Sequence, residues 1–117
     1  VSGQLPLSGG KPLFEGKVGA DVSPEDAARA ARQSAINVLA VLKKELGTLD
    51  NVKKIVKVTG YVASAHGFTG QAGVLNGASD LFFDVFGEEG RHARAAVGVS
   101  ELPLNAPVEV EIVAEII

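Results

Sequence analysis

Residues 23–47, SPEDAARAARQSAINVLAVLKKELG, decide the fold because they form the longest and best-defined element that the sequence predicts. Ser23 is a favoured N-cap, Pro24 suits the first helical position, and Asp26 stands three residues after the cap. Two lysines near the end, followed by Gly47, are typical of a helix C-terminus. One apolar stripe follows at helical spacing, made of Ala28, Ala31, Ala35, Val38, Leu39 and Leu42. The segment therefore predicts one long amphipathic helix.

The rest of the chain divides into strands and a second helix. β-branched residues predict a strand over about 52–63, and a second helix over about 71–86 precedes Gly87. The apolar positions of that helix are Val74, Leu75, Leu81, Phe82 and Val85. Further strands are predicted over 92–102 and 108–117, with a short one in VSGQLPL that ends at Pro6 and another in FEGKVG. The order β(β)αβαββ indicates an α+β fold with both helices on one face of a sheet.

The composition limits the classes of function. The chain of 117 residues is long enough for a single domain, 1–117, and it has no cysteine and only two histidines, His66 and His92. Thiolate chemistry is excluded, and neither a metal site nor another cofactor is expected. The net charge of −3 argues against a general nucleic-acid binder. No apolar run approaches the roughly 20 residues of a membrane span. We therefore expect a cytoplasmic protein, and the start on VSGQLPL leads us to expect further residues upstream.

The last predicted strand has one clearly apolar face. Val108, Val110, Ile112, Ala114 and Ile116 alternate along it and predict the side that faces the core. Its other face mixes acidic and aliphatic residues, namely Glu109, Glu111, Val113, Glu115 and Ile117. That mixture is too polar for a core and too apolar for bulk water, so it favours an interface between copies of the chain. The turn near Leu104 and Asn105 predicts that the last two strands form an antiparallel hairpin.

Arg94 stands in the strand HARAAVGVSEL, and a guanidinium is rarely buried without a partner. We expect Ala93, Ala95, Val97 and Val99 to face the helices, so that Arg94, Ala96, Gly98 and Ser100 share the opposite face. One long cation followed by very small residues leaves room for a carboxylate ligand or for a neighbouring chain. A salt bridge between subunits, to Glu109, Glu111 or Glu115, is the equally weighted alternative. His92 beside Arg91 indicates either an anion site or a surface loop.

Four segments resemble the YjgF/RidA (reactive intermediate deaminase) family, whose members are also labelled endoribonuclease L-PSP. They are SGQLPL at 2–7, ARQSAINVLAVL at 31–42, IVKVTGYV at 55–62 and ARAAVGVSELPLNAPVEVEI at 93–112. The resemblance implies a chorismate-mutase-like fold and a homotrimer with clefts between subunits. It also implies hydrolysis of reactive enamines and imines, such as 2-aminoacrylate, to a 2-oxo acid and ammonia.

The resemblance also implies site residues. The carboxylate-binding arginine of the family corresponds to Arg94, and its acidic residue corresponds to Glu111. These two form the implied catalytic pair. The serine that the family places in its cleft corresponds to Ser2, beside Gly3, and the asparagine on its second helix corresponds to Asn76. This chain has His92-Ala93-Arg94 where the family usually has Pro-Ala-Arg, and its loop over 66–73 is longer. A homotrimer that binds small carboxylate metabolites without turnover is the alternative function. The ribonuclease label fits the acidic net charge poorly.

If the last two strands formed a hairpin, Arg94 would lie opposite about Ile116 and Glu111 opposite about Val99. The two charged residues would then be roughly 15 Å apart along the strands at about 3.3 Å per residue. Neither side chain closes such a gap around a ligand as small as pyruvate. We therefore expect Arg94 and Glu111 to meet in one cleft only when they come from different subunits.

Overall fold

The computed structural model describes residues 1–117 and contains the predicted succession of elements. The strands are β1 (Leu7–Ser8), β2 (Lys11–Pro12), β3 (Val52–Ala63), β4 (Ala93–Val99) and β5 (Val108–Ile116). The helices are α1 (Pro24–Leu46) and α2 (Gln71–Phe86). Short 3₁₀ turns occupy Leu49–Asn51, Gly87–Gly90 and Pro103–Asn105. The bounds of α1, α2 and β3 agree with those read from the sequence.

Helix α1 begins and ends where its capping residues predict. The hydroxyl of Ser23 accepts a hydrogen bond from the backbone N–H of Asp26 at 3.1 Å. Gly47 has a φ of 82°, which glycine adopts without strain, and its N–H bonds the carbonyl of Lys43. The buried face is Ala27, Ala30, Ala31, Ser34, Ala35, Val38 and Leu42. It is therefore turned slightly from the predicted stripe, because Ala28 and Leu39 are only partly buried.

The main sheet has the strand order β4-β3-β5, and both helices pack on one of its faces. Strand β3 pairs in parallel with β4 and antiparallel with β5. The predicted hairpin between the last two strands is therefore wrong, because β3 lies between them. The segment 100–107 leads the chain across β3 instead of turning it back onto β4. Two residues of left-handed conformation, Leu104 and Asn105, mark the predicted turn within it.

The two faces of β4 are the reverse of the prediction. Arg94 donates hydrogen bonds to α2, and Ala96 packs against the buried core. A Cβ on Gly98 would stand 3.0 Å from the Gln71 side chain, which also belongs to α2. Val97, by contrast, is 43% exposed on the helix-free face. Small residues occupy both faces of this strand, so its hydrophobic pattern carries no preference for either side.

The helices pack closely on each other and on the sheet because two glycines permit it. A Cβ on Gly77 would collide with the backbone carbonyl of Ala28 in α1, and one on Gly60 would collide with Leu75. The core is mostly aliphatic, with Ile55, Leu75 and Val58 among its members, and it also contains the aromatic Phe82. Outside β4, two further predicted core positions are exposed. Val85 lies near the end of α2, and Ile116 lies at the end of β5, where bulges in the β3–β5 ladder shift the register.

The N-terminal residues differ from the predicted short strands. Gln4 pairs with Val110 along the outer edge of β5, while the ladder between β1 and β2 begins only after Pro6. FEGKVG forms no strand, and only its Val18 makes isolated bridges. The consequence is that residues 2–4 lie beside β5.

Neither α1 nor α2 is long and apolar enough to cross a lipid bilayer.

Candidate functional site

Arg94 and Asn76 line one cavity, which lies between α2 and the chain that enters β4. Its volume is about 430 Å³. Asn76, Ser79, Asp80 and Phe83 line it from successive turns of α2, and Gly90, Arg91, His92 and Arg94 line the opposite side. Spacings of three and four residues place those α2 side chains on one face of the helix. The structure therefore brings together the residues expected to bind a carboxylate and to contact it from the helix.

The guanidinium of Arg94 is held against α2 by two hydrogen bonds. Its Nη1 donates to the hydroxyl of Ser79 at 3.2 Å, and its Nη2 donates to the carbonyl of Ala72 at 3.3 Å. Arg94 is exposed and forms no ion pair within the chain. A guanidinium carries five N–H donors, so three remain for a ligand. This geometry suits a planar carboxylate that enters from the cavity.

Arg91 differs from Arg94 in being engaged by its own neighbours. Its Nε lies 3.0 Å from the carboxylate of Glu88, and its guanidinium stacks 4.7 Å from the centre of the Phe83 ring. His92 is half-buried, and both ring nitrogens have hydrogen-bond partners in Ser79 and Gly90. His92 is therefore part of the cavity wall and not of a loose surface loop.

Glu111 lies on the other, helix-free face of the sheet. It accepts a hydrogen bond from the hydroxyl of Tyr61 on β3. A second cavity of about 200 Å³ lies beside Glu111 and is also lined by Lys57, Thr59 and Val113. This face therefore presents a carboxylate that a tyrosine orients.

Two pKa values on this face are raised, those of Tyr61 and Glu109, and both groups lie close to the charge of Glu111. The hydrogen bond to Glu111 raises the pKa of Tyr61 above its usual value of 10.0, and burial and the charges of Glu111 and Glu109 act in the same direction. Burial raises the pKa of Glu109, and the charge of Glu111 adds to the effect. Tyr61 and Glu109 therefore both keep their protons to higher pH than usual.

Ser2 and Gly3 lie with the acidic group and not with Arg94. The neighbouring Gln4 exchanges backbone hydrogen bonds with Val110 at 2.8 and 3.0 Å. A Cβ on Gly3 would collide with the carboxylate of Glu109, so Gly3 lies directly against that side chain. Ser2 is exposed beside it.

The five expected site residues thus form two separate groups within one chain. Arg94 and Asn76 lie on the helix side near β4, whereas Glu111, Ser2 and Gly3 lie near β5. Arg94 pairs with Val58 of β3, which pairs in turn with Ile112. Glu111 is therefore nearly level with Arg94 but projects from the opposite face of the sheet. No single chain closes both groups around one small ligand.

Sequence reasoning missed two residues that contact the expected ones. Tyr61 is the sole tyrosine of the chain, and its place on a predicted strand was the only available signal. Ser79 stands three residues after Asn76 on α2, so helical spacing places both on one face. Its contact with His92 and Arg94 depends on how β4 lies against α2, and the sequence does not specify that arrangement.

The architecture defines the class of protein: a chorismate-mutase-like α+β fold, with two helices on one face of a mixed sheet and an arginine-lined cavity beside the edge strand. The family model described as "YjgF/chorismate mutase-like, putative endoribonuclease" matches residues 1–116. The chain belongs to this YjgF family. The resemblance noted in the sequence is thereby confirmed.

Individual relatives agree with this assignment. "Protein TCP17" of Trypanosoma cruzi is 47% identical over 117 residues, which are 99% of this chain and 73% of that protein. The solved structure of Atu1372 from Agrobacterium tumefaciens, a protein described as of unknown function, is 50% identical with a TM-score of 0.97 and covers 99% of this chain and 74% of its own. E. coli TdcF, solved with bound serine, is 25% identical with a TM-score of 0.66, over 97% and 76% of the two chains.

Proposed function

We propose that this protein hydrolyses small enamines and imines that carry a carboxylate, in clefts between the subunits of a cytoplasmic homotrimer. The observation that carries the proposal is the placement of Arg94 beside Asn76 in an open cavity of about 430 Å³, with three guanidinium donors unused. A 2-imino acid presents a planar carboxylate next to its reacting carbon. Arg94 binds that carboxylate and leaves the C=N bond in the cavity.

The chemistry requires little from the protein. An imine carbon is already electrophilic, so a positioned water and a proton acceptor suffice. The water oxygen bonds to the imine carbon while one of its protons passes to the Glu111 carboxylate. That proton then moves to the nitrogen and gives a carbinolamine. The new hydroxyl passes its own proton to the nitrogen as its C–O bond becomes the C=O of the 2-oxo acid, the C–N bond breaks, and ammonia leaves. Tyr61 orients Glu111, and Ser2 with Gly3 completes the acidic side of the cleft.

The division of residues between two faces supports an oligomer, and we propose that it is a trimer. Arg94 and Glu111 project from opposite sides of the sheet, so a cleft that contains both needs two chains. The helix-free face also exposes Val97 at 43% and Val113 at 58%, which favours its burial in a closed oligomer. Analytical ultracentrifugation at micromolar concentration should give the mass of three chains. A stable monomer would contradict the proposal.

A second candidate is a trimer that binds small carboxylates without turnover. The bound serine in E. coli TdcF favours it, because serine is a small amino acid with a carboxylate. In this case Arg94 and Asn76 act as proposed, and Glu111 only shapes the cleft. RNA cleavage, to which the family description refers, fits less well with the net charge of −3.

The deciding experiment offers freshly generated 2-aminoacrylate and 2-iminopropionate and follows ammonia release. The protein should accelerate the release, and Arg94→Ala should abolish the acceleration. Arg32→Ala is the matched control, because Arg32 is an exposed arginine on α1 that does not line the cavity. Pyruvate binding without accelerated release would favour the second candidate. Cleavage of a single-stranded RNA, lost in Arg94→Ala, would favour the ribonuclease.

A further inference from the structure

Ser79, His92 and Arg94 form a continuous chain of hydrogen bonds inside the cavity. The Ser79 hydroxyl lies 2.8 Å from Nε2 of His92, and Nδ1 of the same ring lies 2.6 Å from the carbonyl oxygen of Gly90. Arg94 donates to the same hydroxyl at 3.2 Å. All four residues line the cavity of about 430 Å³. A ligand in that cavity is therefore adjacent to the chain of hydrogen bonds.

The partners decide which ring nitrogen of His92 carries the proton. A backbone carbonyl only accepts, so Nδ1 must donate to Gly90. In the neutral imidazole Nε2 then has a free lone pair, and the Ser79 hydroxyl donates its proton to it. The guanidinium of Arg94 only donates, so it bonds a lone pair of the same oxygen. Ser79 thus has a base on its proton and a cation beside its oxygen.

The imidazole is held in this orientation by the surrounding packing. Its ring meets the buried Phe82 edge to face, with centres 6.0 Å apart and an angle of 87° between the planes. Gly90 is buried, and a Cβ there would collide with the backbone of Phe82. The carbonyl that orients His92 is therefore fixed by the end of α2.

We propose that Ser79 is a nucleophile and His92 its general base, in a site for acyl transfer from small esters. A hydroxyl within reach of an imidazole, which a third group orients, is the arrangement that activates serine. Arg94 and the side-chain amide of Asn76, which forms no hydrogen bond within the chain, supply donors for the developing oxyanion. The inference stands apart from the proposed function, because imine hydrolysis needs no covalent intermediate.

The two half-reactions balance without any further reagent. Ser79 Oγ bonds to the ester carbonyl carbon as its proton passes to Nε2 of His92. The tetrahedral intermediate collapses, the C–O bond to the alcohol breaks, and the alcohol leaves with that proton. Water then attacks the acyl-serine, again giving a proton to His92. The acid is released and the Ser79 hydroxyl regains its proton.

The test uses 4-nitrophenyl acetate with the intact protein. We expect a burst of nitrophenol and an acetyl group on Ser79, identified by mass spectrometry of peptides. Ser79→Ala should abolish the burst, and His92→Gln should slow acylation by about 10²-fold or more, the usual contribution of a general base. The matched controls are Ser100→Ala and His66→Gln, which change an exposed serine and the only other histidine. Both should acylate like the unmodified protein.

A fluorophosphonate gives a second readout that needs no variant. It should label Ser79 of the unmodified protein and leave the exposed Ser100 unlabelled. Three results would each overturn the inference: Ser79 remains unlabelled, the acetyl group is found only on lysines, or the burst survives in Ser79→Ala. The result for imine hydrolysis is independent, so ammonia release without acylation would reject only this site.

Discussion

An Arg94→Ala chain mixed with a Glu111→Gln chain should regain activity that neither has alone. Within one chain Arg94 and Glu111 are separated by β3, so their backbones are about 10 Å apart across two strand spacings of about 4.8 Å. Their side chains project from opposite faces of the sheet, which adds to this distance. A shared cleft therefore takes Arg94 from one subunit and Glu111 from its neighbour.

The expected recovery follows from counting intact clefts. In a cyclic trimer each cleft draws its arginine from one chain and its glutamate from the next. After random assembly of equal amounts, each partner is unaltered in half of the cases, so about one quarter of the clefts are complete. Ammonia release from 2-iminopropionate should recover to about that fraction of the unmodified rate.

The result can be interpreted only if trimers that contain both kinds of chain are shown to form. The two chains are unfolded, mixed and refolded, and a mass tag on one of them shows the mixed trimers in native mass spectrometry. The control mixes the Glu111→Gln chain with a chain that carries both substitutions, where no cleft is complete and no activity should return. If hybrids form but the first mixture remains inactive, each site is built within a single chain and the reasoning fails.

Further predictions concern single substitutions. Arg94→Ala should abolish pyruvate binding in calorimetry without lowering the melting temperature. Arg94→Lys should restore little of the affinity, because an ammonium cannot make the bidentate contact of a guanidinium. Unchanged affinity in Arg94→Ala would show that Arg94 is not the carboxylate site. The pKa of Tyr61, the sole tyrosine, should lie above 10.0 when measured by ultraviolet absorbance. In Glu111→Gln this pKa should return towards 10.0, because the carboxylate that accepts the hydrogen bond is gone. An identical titration in both proteins would contradict this. Gly77→Ala should lower the free energy of unfolding by about 1–3 kcal/mol through overpacking against α1. Gly73→Ala, where no atom lies within 4 Å of the added Cβ, should instead raise it by up to about 1 kcal/mol. Urea denaturation measures both, and equal effects would refute the packing argument.

Local interactions explain why much of the secondary structure could be predicted. Ser23 and Gly47 fix the ends of α1 through hydrogen bonds to residues within four positions along the chain. The long β-branched run gives β3 its full extent, because such side chains favour extended backbone. Neither feature depends on any distant part of the molecule. The sequence alone therefore determined these elements and, through the motifs of the YjgF family, the overall class of fold.

The arrangement of the strands depended on distant contacts. Strands that follow each other in the chain often form hairpins, yet β4 and β5 each pair with β3. The pairing of β3 with β4 is parallel, so it needs a crossover connection, and α2 in that connection covers the sheet. The prediction of which face of β4 meets the helices failed because alanine, glycine and valine fill both of its faces and give no amphipathic signal. Arg94 was expected on the face away from the helices, but its hydrogen bonds to α2 hold it on the helix side.

The candidate site divides in the same way between sequence and structure. The sequence alone determined which residue types are present at Arg94, Asn76 and Glu111, and therefore the carboxylate-binding chemistry that they favour. Only the tertiary structure decided that Arg94 meets Ser79 and His92 while Glu111 meets Tyr61 on the opposite face. The physical reason is that these contacts join residues 13 to 50 positions apart, whose approach is set by the packing of α2 and β4 on β3 and by no local preference of the chain.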